Sequence, residues 1–254
     1  MNYPKPIRLK EISSTSLYMS QLCDRQKQAD FTCVCSDYQT AGRGQRGNGW
    51  ESEAGKNLLF SFVLYPDSLE ASRQFVLSQI TALALQETLA QYADDITVKW
   101  PNDIYWKDRK LCGTLIENDL TGLYVSRSIS GTGVNLNQER FLSGAPNPVS
   151  LHQITGCIYR PEEVLRQILD RAARFYGMLR AGRTSEIADK YKECLFRKDG
   201  FHPYKDSDGP FMARIADIEP SGRMALEDER GRIRKYMFKE VEYTGIGLQN
   251  APQP

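Results

Sequence analysis

The sequence predicts an α+β fold in which a mixed sheet flanked by helices is followed by a small all-β domain. Three observations predict it. Strand-like segments alternate with turns over much of 31–137, a long apolar segment without Gly or Pro has helical spacing at 72–93, and short alternating runs fill the chain from about Gly200. We therefore expect a larger domain, a β-domain and a short tail, with bounds of 1–198, 199–248 and 249–254.

The composition excludes several classes of protein. The 254 residues contain 33 Lys and Arg against 32 Asp and Glu, and a net charge of +1 argues against a general nucleic-acid or membrane-surface footprint. No apolar run approaches the roughly 20 residues of a membrane-spanning helix, and the N-terminus lacks the apolar core of a secretory signal. Six cysteines without a CxxC pair, beside only two histidines, favour free thiols over a zinc cluster. We expect a cytoplasmic protein with no nucleic-acid or membrane partner.

The first ninety residues predict a helix, two strands and a second helix. Ser14 can cap a helix whose apolar residues have the spacing of one face. Strands are predicted at 31–38 and 58–65, and the long glycine-rich loop between them indicates a functional segment, because such loops are uncommon in compact domains. The apolar helix at 72–93 is expected to pack on the sheet.

The remaining elements are hairpin strands, two helices and the β-domain. Three strands at 96–100, 111–118 and 123–137 have short connections, so the sheet is expected to be built largely from hairpins. The segment 143–156 has two prolines and two glycines and predicts a surface connection. Helices follow at 161–179 and 185–195, and the strands after them need closed or covered edges, which predicts a small barrel.

The loop sequence AGRGQRGNGW is the first segment that indicates chemistry. Its glycines match the dinucleotide-binding fingerprint Gly-x-Gly-x-x-Gly, but a strand rather than a helix is predicted to follow, which argues against that interpretation. A Walker loop also fails, since Asn48-Gly49 stands where Gly-Lys-Ser/Thr is required. Glycine backbone N–H groups beside Arg43 and Arg46 suit an anion, while a solvated surface loop is the alternative.

Two further segments, VKWPNDIYW and ISGTGVNLN, carry polar residues at strand ends. Lys99 should face away from its apolar neighbours, and Asn102 and Asp103 should lie in the turn after Pro101, either at an anion or metal site or in a simple Asx turn. Glycines at alternate positions 131 and 133 indicate either a ligand close to that strand face or a bulge.

Together and in this order, the three segments resemble the biotin–protein ligase family. GRGQRGNGW is similar to its glycine- and arginine-rich adenylate loop, KWPNDI to its lysine motif and GTGVNLN to its glycine–asparagine strand. LCGTLIE is similar as well, and so is Ser14-Thr15-Ser16, where the family commonly has Ser-Thr-Asn. The resemblance covers about 7–137 strongly and the rest through overall layout.

The resemblance implies a catalytic domain like that of class II aminoacyl-tRNA synthetases, followed by an SH3-like β-barrel. It implies two reactions: the biotin carboxylate attacks the α-phosphorus of ATP and releases pyrophosphate, and a lysine of a biotin carboxyl carrier domain then attacks the biotinyl-adenylate. ATP and biotin are the implied substrates, with Mg²⁺. A lipoate–protein ligase and a non-catalytic biotin- or adenylate-binding sensor are the alternatives.

The resemblance also implies the roles of individual residues. It assigns catalysis to Lys99 and Arg43, which would stabilise negative charge at phosphorus. The residues implied to bind biotin or its adenylate are Ser14, Thr15, Ser16, Gln39, Arg43, Gly44, Gln45, Lys99, Gly113, Gly131 and Gly133. Those implied at the nucleotide are Arg46, Trp50, Asn102 and Asn135, with Asp103 as the Mg²⁺ ligand. The glycine-rich loop is expected to be mobile when empty and to order over the intermediate.

Three departures from the family pattern have expected consequences. Gln45 stands where many members have Arg, which removes one positive charge and predicts weaker retention of the adenylate. Ser16 in place of Asn changes one polar contact to biotin. Only about a dozen residues precede Ser14, too few for the helix-turn-helix domain of members that repress transcription, so we expect a ligase without operator binding, as a monomer or weak homodimer.

Overall fold

The computed structural model describes residues 3–44, 49–142 and 147–245. The strands in these ranges are β1 Ile7–Ile12, β2 Cys33–Gln39, β3 Leu58–Leu64, β4 Ile96–Lys99, β5 Asp103–Trp106, β6 Arg109–Thr121, β7 Tyr124–Val134, β8 His202–Asp206, β9 Gly209–Ile218, β10 Met224–Asp228, β11 Ile233–Tyr236 and β12 Glu242–Tyr243. The helices are α1 Thr15–Arg25, α2 Phe75–Leu89, α3 Leu151–Thr155, α4 Pro161–Arg180 and α5 Thr184–Glu193, with one 3₁₀ turn at Ala71–Arg73. None of the helices described there combines the length and apolar character of a membrane span.

The larger sheet is mixed, as the sequence predicts. Its seven strands lie in the order β1-β2-β3-β7-β6-β5-β4, and β1 with β2 is the parallel pair among otherwise antiparallel neighbours. All residues of strand β3 are buried. Since successive side chains point to opposite sides of a strand, both faces of β3 are covered. Val63 packs with Met19 of α1 on one side, while Phe60 and Phe62 join the main core with Leu83 of α2 on the other.

A second sheet of five antiparallel strands, in the order β11-β10-β9-β8-β12, forms the C-terminal part. Together the two sheets confirm the predicted fold class. They share one apolar core, which contains Val98 and Leu195 as well as Tyr204 of β8. The bounds predicted for the two domains, 1–198 and 199–248, stay a prediction.

Three elements differ from the sequence prediction. Strand β1 was not expected; it lies at the sheet edge, where charged side chains remain exposed. Asp103 begins strand β5 rather than lying in a turn, because the chain reverses within Pro101-Asn102 and pairs with β4. The predicted surface connection contains helix α3, which Ser150 and Gln153 start with a reciprocal capping box.

Candidate active site

The three motifs meet at one cavity of about 970 Å³. It is lined by the first turn of α1, the base of the glycine-rich loop, strands β4 to β7 and the C-terminal sheet. The predicted site residues that line it are Ser14, Thr15, Ser16, Gln39, Arg43, Gly44, Trp50, Lys99, Asn102, Asp103, Gly113, Gly131, Gly133 and Asn135. Gln45 and Arg46 lie outside the described residues, and so does the loop centre whose mobility the sequence predicts. A smaller groove of about 590 Å³, lined by α2 and α4, contains no predicted site residue.

Buried hydroxyl groups line the cavity where α1 begins. Gln39 Oε1 accepts hydrogen bonds from the backbone N–H of Thr15 at 2.7 Å and from its hydroxyl at 3.1 Å. Ser14 is the N-cap residue of α1, but its hydroxyl contacts that of Ser16 at 3.0 Å instead of capping the helix. Ser61 of β3 donates to Thr15 Oγ1 at 2.8 Å. The group is therefore a preorganised set of donors and acceptors for a polar ring.

The glycines of β6 and β7 make room for the indole ring of Trp50. A Cβ atom at Gly133 would lie 2.3 Å from that ring, and one at Gly113 would lie 2.8 Å from it. At Gly131 a Cβ would lie 3.2 Å from the Ser16 Cβ. The sequence predicts a ligand close to this strand face, and the described structure has Trp50 there. Trp50 Nε1 is buried without a hydrogen-bond partner among the described residues.

Lys99 extends from the end of β4 into the cavity. Its ammonium donates to the Tyr105 hydroxyl at 3.1 Å and lies 4.7 Å from the centroid of that ring. A second ring, that of Tyr243 in β12, has its centroid 5.0 Å from the same nitrogen. Burial lowers the pKa of Lys99 to about 8, while the Asp103 carboxylate opposes that shift and the Lys110 and Arg197 charges add to it.

Asp103, the predicted Mg²⁺ ligand, forms an ion pair with Lys110. The Asp103 Oδ2 atom lies 2.6 Å from Lys110 Nζ. Asn102 and Asn135 line the cavity, and their Oδ1 atoms are buried without a hydrogen-bond partner in the described ranges. No cluster of three His, Cys, Asp or Glu residues suits a metal within those ranges. One cavity carboxylate fits a Mg²⁺ ion that keeps waters and takes its further ligands from phosphates.

Arg43, the other predicted catalytic residue, contacts Glu117 of β6. Its two terminal nitrogens lie 2.7 and 3.3 Å from the carboxylate oxygens, and both side chains are close to half exposed. Backbone pairing between Arg43 and Gly49, and a 3.0 Å bond from Trp50 N to the Gly42 carbonyl, hold the base of the loop. An anionic ligand must therefore compete with Glu117 for this guanidinium.

Sequence reasoning missed several polar and aromatic neighbours of the site, among them Ser61, Tyr105, Lys110, Glu117 and Tyr243. Tyr105 had a local signal, because the pairs Lys99↔Asp103 and Thr97↔Tyr105 place it on the Lys99 face once β5 is identified. Lys110 and Glu117 lie on β6, and their pairing depends on register. Tyr243 reaches the site only through the packing of the second sheet, which no local pattern indicates.

The chain is similar in sequence to a family of known ligases. Residues 9–135 match the model of the biotin/lipoate A/B protein ligase family. The bifunctional ligase/repressor BirA of Salmonella typhimurium is 37% identical over 256 residues, which cover 92% of this chain and 72% of that protein. A biotin–[acetyl-CoA-carboxylase] ligase of Paracoccus denitrificans is 36% identical over 209 residues, covering 79% of this chain and 82% of the relative.

A solved structure extends the likeness to the whole fold. The biotin protein ligase from Aquifex aeolicus in complex with biotin and ATP superimposes with a TM-score of 0.78 at 25% identity. The match covers 95% of this chain and 100% of that one. The fold is thus the one found in that biotin protein ligase. The chain belongs to the biotin/lipoate A/B protein ligase family.

Proposed function

We propose that this protein is a biotin–protein ligase. It activates biotin with ATP to biotinyl-5′-AMP, releases pyrophosphate, and transfers biotin to a specific lysine of a biotin carboxyl carrier domain. The observation that carries the proposal is that the hydroxyl side chains of Ser14, Thr15 and Ser16, the glycines of β6 and β7, and Lys99 line one cavity. The similarity to the Paracoccus ligase and to the Aquifex ligase bound to biotin and ATP supports it.

The cluster of hydroxyl side chains at the start of α1 is the proposed site of the biotin ureido ring. Ser14 and Ser16 are buried and adjacent, and Thr15 is fixed by Gln39, so hydroxyl donors and acceptors are held in place before the ligand arrives. The face formed by Gly113, Gly131, Gly133 and Trp50 supplies an apolar wall for the fused rings and the nucleotide. Gly44 lies at the base of the loop. Gln45 and Arg46 lie outside the described residues, and their proposed roles, at the adenylate and at the nucleotide, rest on the resemblance.

Positive charge at the other end of the cavity suits the reacting groups. Lys99 and Lys110 bring two ammonium groups close to the carboxylate of Asp103. In the first step a biotin carboxylate oxygen forms a bond to the α-phosphorus while the bond to the pyrophosphate oxygen breaks. Lys99 and Arg43 stabilise the negative charge that builds on the phosphoryl oxygens, once Arg43 has left Glu117.

In the second step the carrier lysine attacks the acyl carbon of the adenylate. Its amine forms an amide bond, AMP leaves with the electrons of the broken acyl–oxygen bond, and the amine loses a proton. Asn102 and Asn135, which line the cavity, are the proposed contacts of the nucleotide. Asp103 would hold Mg²⁺ together with phosphate oxygens, and the ion would offset phosphate charge.

The remaining assignments follow from the same proposal. The partner is a biotin carboxyl carrier domain of a biotin-dependent carboxylase, and the protein acts in the cytoplasm without binding nucleic acid. It works as a monomer or weak homodimer. The family that the chain matches also contains lipoate ligases, so lipoate is the competing substrate that an experiment must exclude.

The decisive experiment measures pyrophosphate release from ATP and Mg²⁺ with biotin or lipoate, with and without an apo carrier domain. We expect release with biotin that rises when the carrier is added, and Lys99→Ala should lower it by about 10²–10³-fold. Lys107→Ala is the matched control, because Lys107 lies over Trp106 outside the cavity lining. Preference for lipoate would assign the protein to the lipoate ligases, and biotin binding without release would assign it to the sensors.

A further inference from the structure

The Lys99 ammonium lies beside two aromatic rings that come from two different sheets. Tyr105 belongs to β5 of the larger sheet, and Tyr243 belongs to β12 of the C-terminal sheet. The two rings contact the ammonium differently. The Tyr105 hydroxyl accepts a hydrogen bond from it, whereas the Tyr243 hydroxyl points elsewhere and donates to the Met224 sulfur at 3.4 Å. Tyr243 therefore acts on Lys99 through its ring and not through its hydroxyl.

Arg197 fixes the backbone that carries Tyr243. Its guanidinium donates to the carbonyl oxygens of Pro203 at 2.9 Å and Thr244 at 2.7 Å, one on each side of the β8–β12 pair. The same guanidinium carbon lies 5.7 Å from the centroid of the Tyr243 ring. Tyr204, which is opposite Tyr243 in the sheet, packs against it with ring centroids 5.1 Å apart. This short strand is therefore held in place by more than its own backbone pairing.

Ionic pairing does not account for the position of the Lys99 ammonium. The charged groups that face it are Asp103, Lys110 and Arg197. In the described part of the chain Asp103 makes its ion pair with Lys110, and the other two groups repel a cation. Lysine has a flexible side chain with four methylene groups, so it needs other contacts to keep one geometry. Aromatic faces attract ammonium groups and supply such contacts.

We propose that Tyr243 is a positioning residue for biotin activation: its ring, held by the C-terminal sheet and Arg197, keeps the Lys99 ammonium aligned with the reacting carboxylate and α-phosphate. The proposal deepens the function given above and rests on the role of Lys99 in it. It assigns a part in the chemistry of the first step to a residue outside the matched segment 9–135.

The test uses biotin-dependent exchange of labelled pyrophosphate into ATP, which reports activation alone. Tyr243→Phe keeps the ring and should stay within about twofold of wild type. Tyr243→Leu keeps an apolar side chain but loses the aromatic face, and it should lower kcat by about 10–100-fold while the biotin KM changes little, because a misplaced catalytic group affects mainly the transition state. Phe211→Leu is the control, since Phe211 packs on Tyr204 in the same sheet but does not line the cavity.

A double-mutant cycle separates positioning from a general structural effect. In the Lys99→Ala background, assayed at raised enzyme concentration, Tyr243→Leu should cause no further loss, because there is no ammonium left to align. Equal losses in both backgrounds, or wild-type kcat in Tyr243→Leu, would overturn the proposal. Wild-type exchange in Lys99→Ala alone would instead overturn the role of Lys99 itself.

A second substitution covers the case in which Tyr243→Leu does not fold. Arg197→Lys keeps the charge but loses the forked contact with Pro203 and Thr244, so it should loosen β12. We expect a smaller fall in kcat, about 3–10-fold, again absent in the Lys99→Ala background. An unchanged kcat in a variant whose unfolding midpoint has fallen would contradict the proposal.

Discussion

The surroundings of Lys99 lower the pKa of its ammonium group well below the usual value of a lysine. Burial lowers its pKa to about 8, so at neutral pH the ammonium form still predominates, but it is lost within a pH range that enzyme assays reach. A lowered pKa means that the folded protein disfavours the charged form. A bound carboxylate and phosphate favour it again, and therefore the effect belongs to the free enzyme.

We predict that kcat/KM for biotin falls as the pH rises through about 8. The charged form of Lys99 is required, and above its pKa the fraction of charged enzyme drops about tenfold per pH unit. Lys99→Arg should be slower at neutral pH, because a planar guanidinium does not replace an ammonium, but its profile should lose this descending limb since arginine stays charged. The measurement is pyrophosphate exchange at limiting biotin from pH 6.5 to 9.5. A wild-type profile that stays flat to pH 9.5 would rule the prediction out.

Among the elements, the packing of the glycine strands against Trp50 makes the most specific demand on the sequence. Gly133 has the closest approach, with a would-be Cβ at 2.3 Å from the indole, whereas Gly131 meets Ser16 at 3.2 Å. We predict that Gly133→Ala lowers the free energy of unfolding by about 1–3 kcal/mol and weakens biotin binding, and that Gly131→Ala has a smaller effect.

Trp50, the residue that a side chain at position 133 would meet, provides the control for that prediction. Trp50→Ala combined with Gly133→Ala removes the contact, so the double variant should be more stable than the sum of the two single losses predicts. Biotin affinity should stay low in the double variant because the apolar wall is gone. Chemical denaturation and titration calorimetry measure both quantities. Strict additivity of the two unfolding losses would show that the indole moves away freely.

Some elements of the fold could be predicted from the sequence and others could not. Helices α1, α2 and α4 and the three motif strands were predictable, because local apolar spacing and turn residues mark them. Strand β1 is mostly exposed and pairs in parallel at the sheet edge, and β5 starts within a few residues of β4, inside a segment that the sequence indicates as a connection, so neither has a strong local pattern. The contacts of Arg43 and Asp103 with Glu117 and Lys110 depend on strand register, which single motifs do not specify.

Across the whole molecule, the lysine motif connects the two sheets. Backbone bonds of 2.8 Å join Val98 to Cys194 and Phe196 in the segment that leads to the C-terminal sheet. The next aromatic residue, Trp100, donates from Nε1 to the carbonyl of Gly222 at 3.0 Å and packs on Phe238. A change at the surface between the sheets should therefore affect stability and activation together.

Gly222 and Gly231 allow that coupling to be measured. Both lie in turns of the C-terminal sheet with left-handed backbone, at φ of 89° and 75°, so alanine at either position introduces the same kind of strain. They differ in their surroundings: a Cβ at Gly222 would lie 2.7 Å from the Phe75 ring at the start of α2, while nothing lies within 4 Å of one at Gly231. The second substitution is therefore a control for strain alone.

We predict that Gly231→Ala lowers the free energy of unfolding by about 1 kcal/mol and leaves pyrophosphate exchange unchanged. Gly222→Ala should cost roughly 1–3 kcal/mol more, because Phe75 or the turn must move. It should also lower exchange, since the same movement displaces the carbonyl that binds Trp100 beside Lys99. Urea denaturation, followed by circular dichroism and by tryptophan fluorescence, measures the two losses of unfolding free energy. Pyrophosphate exchange is assayed on the same samples. If Gly222→Ala lost stability but kept full exchange, the C-terminal sheet would be a support for the fold that does not control the geometry of the active site.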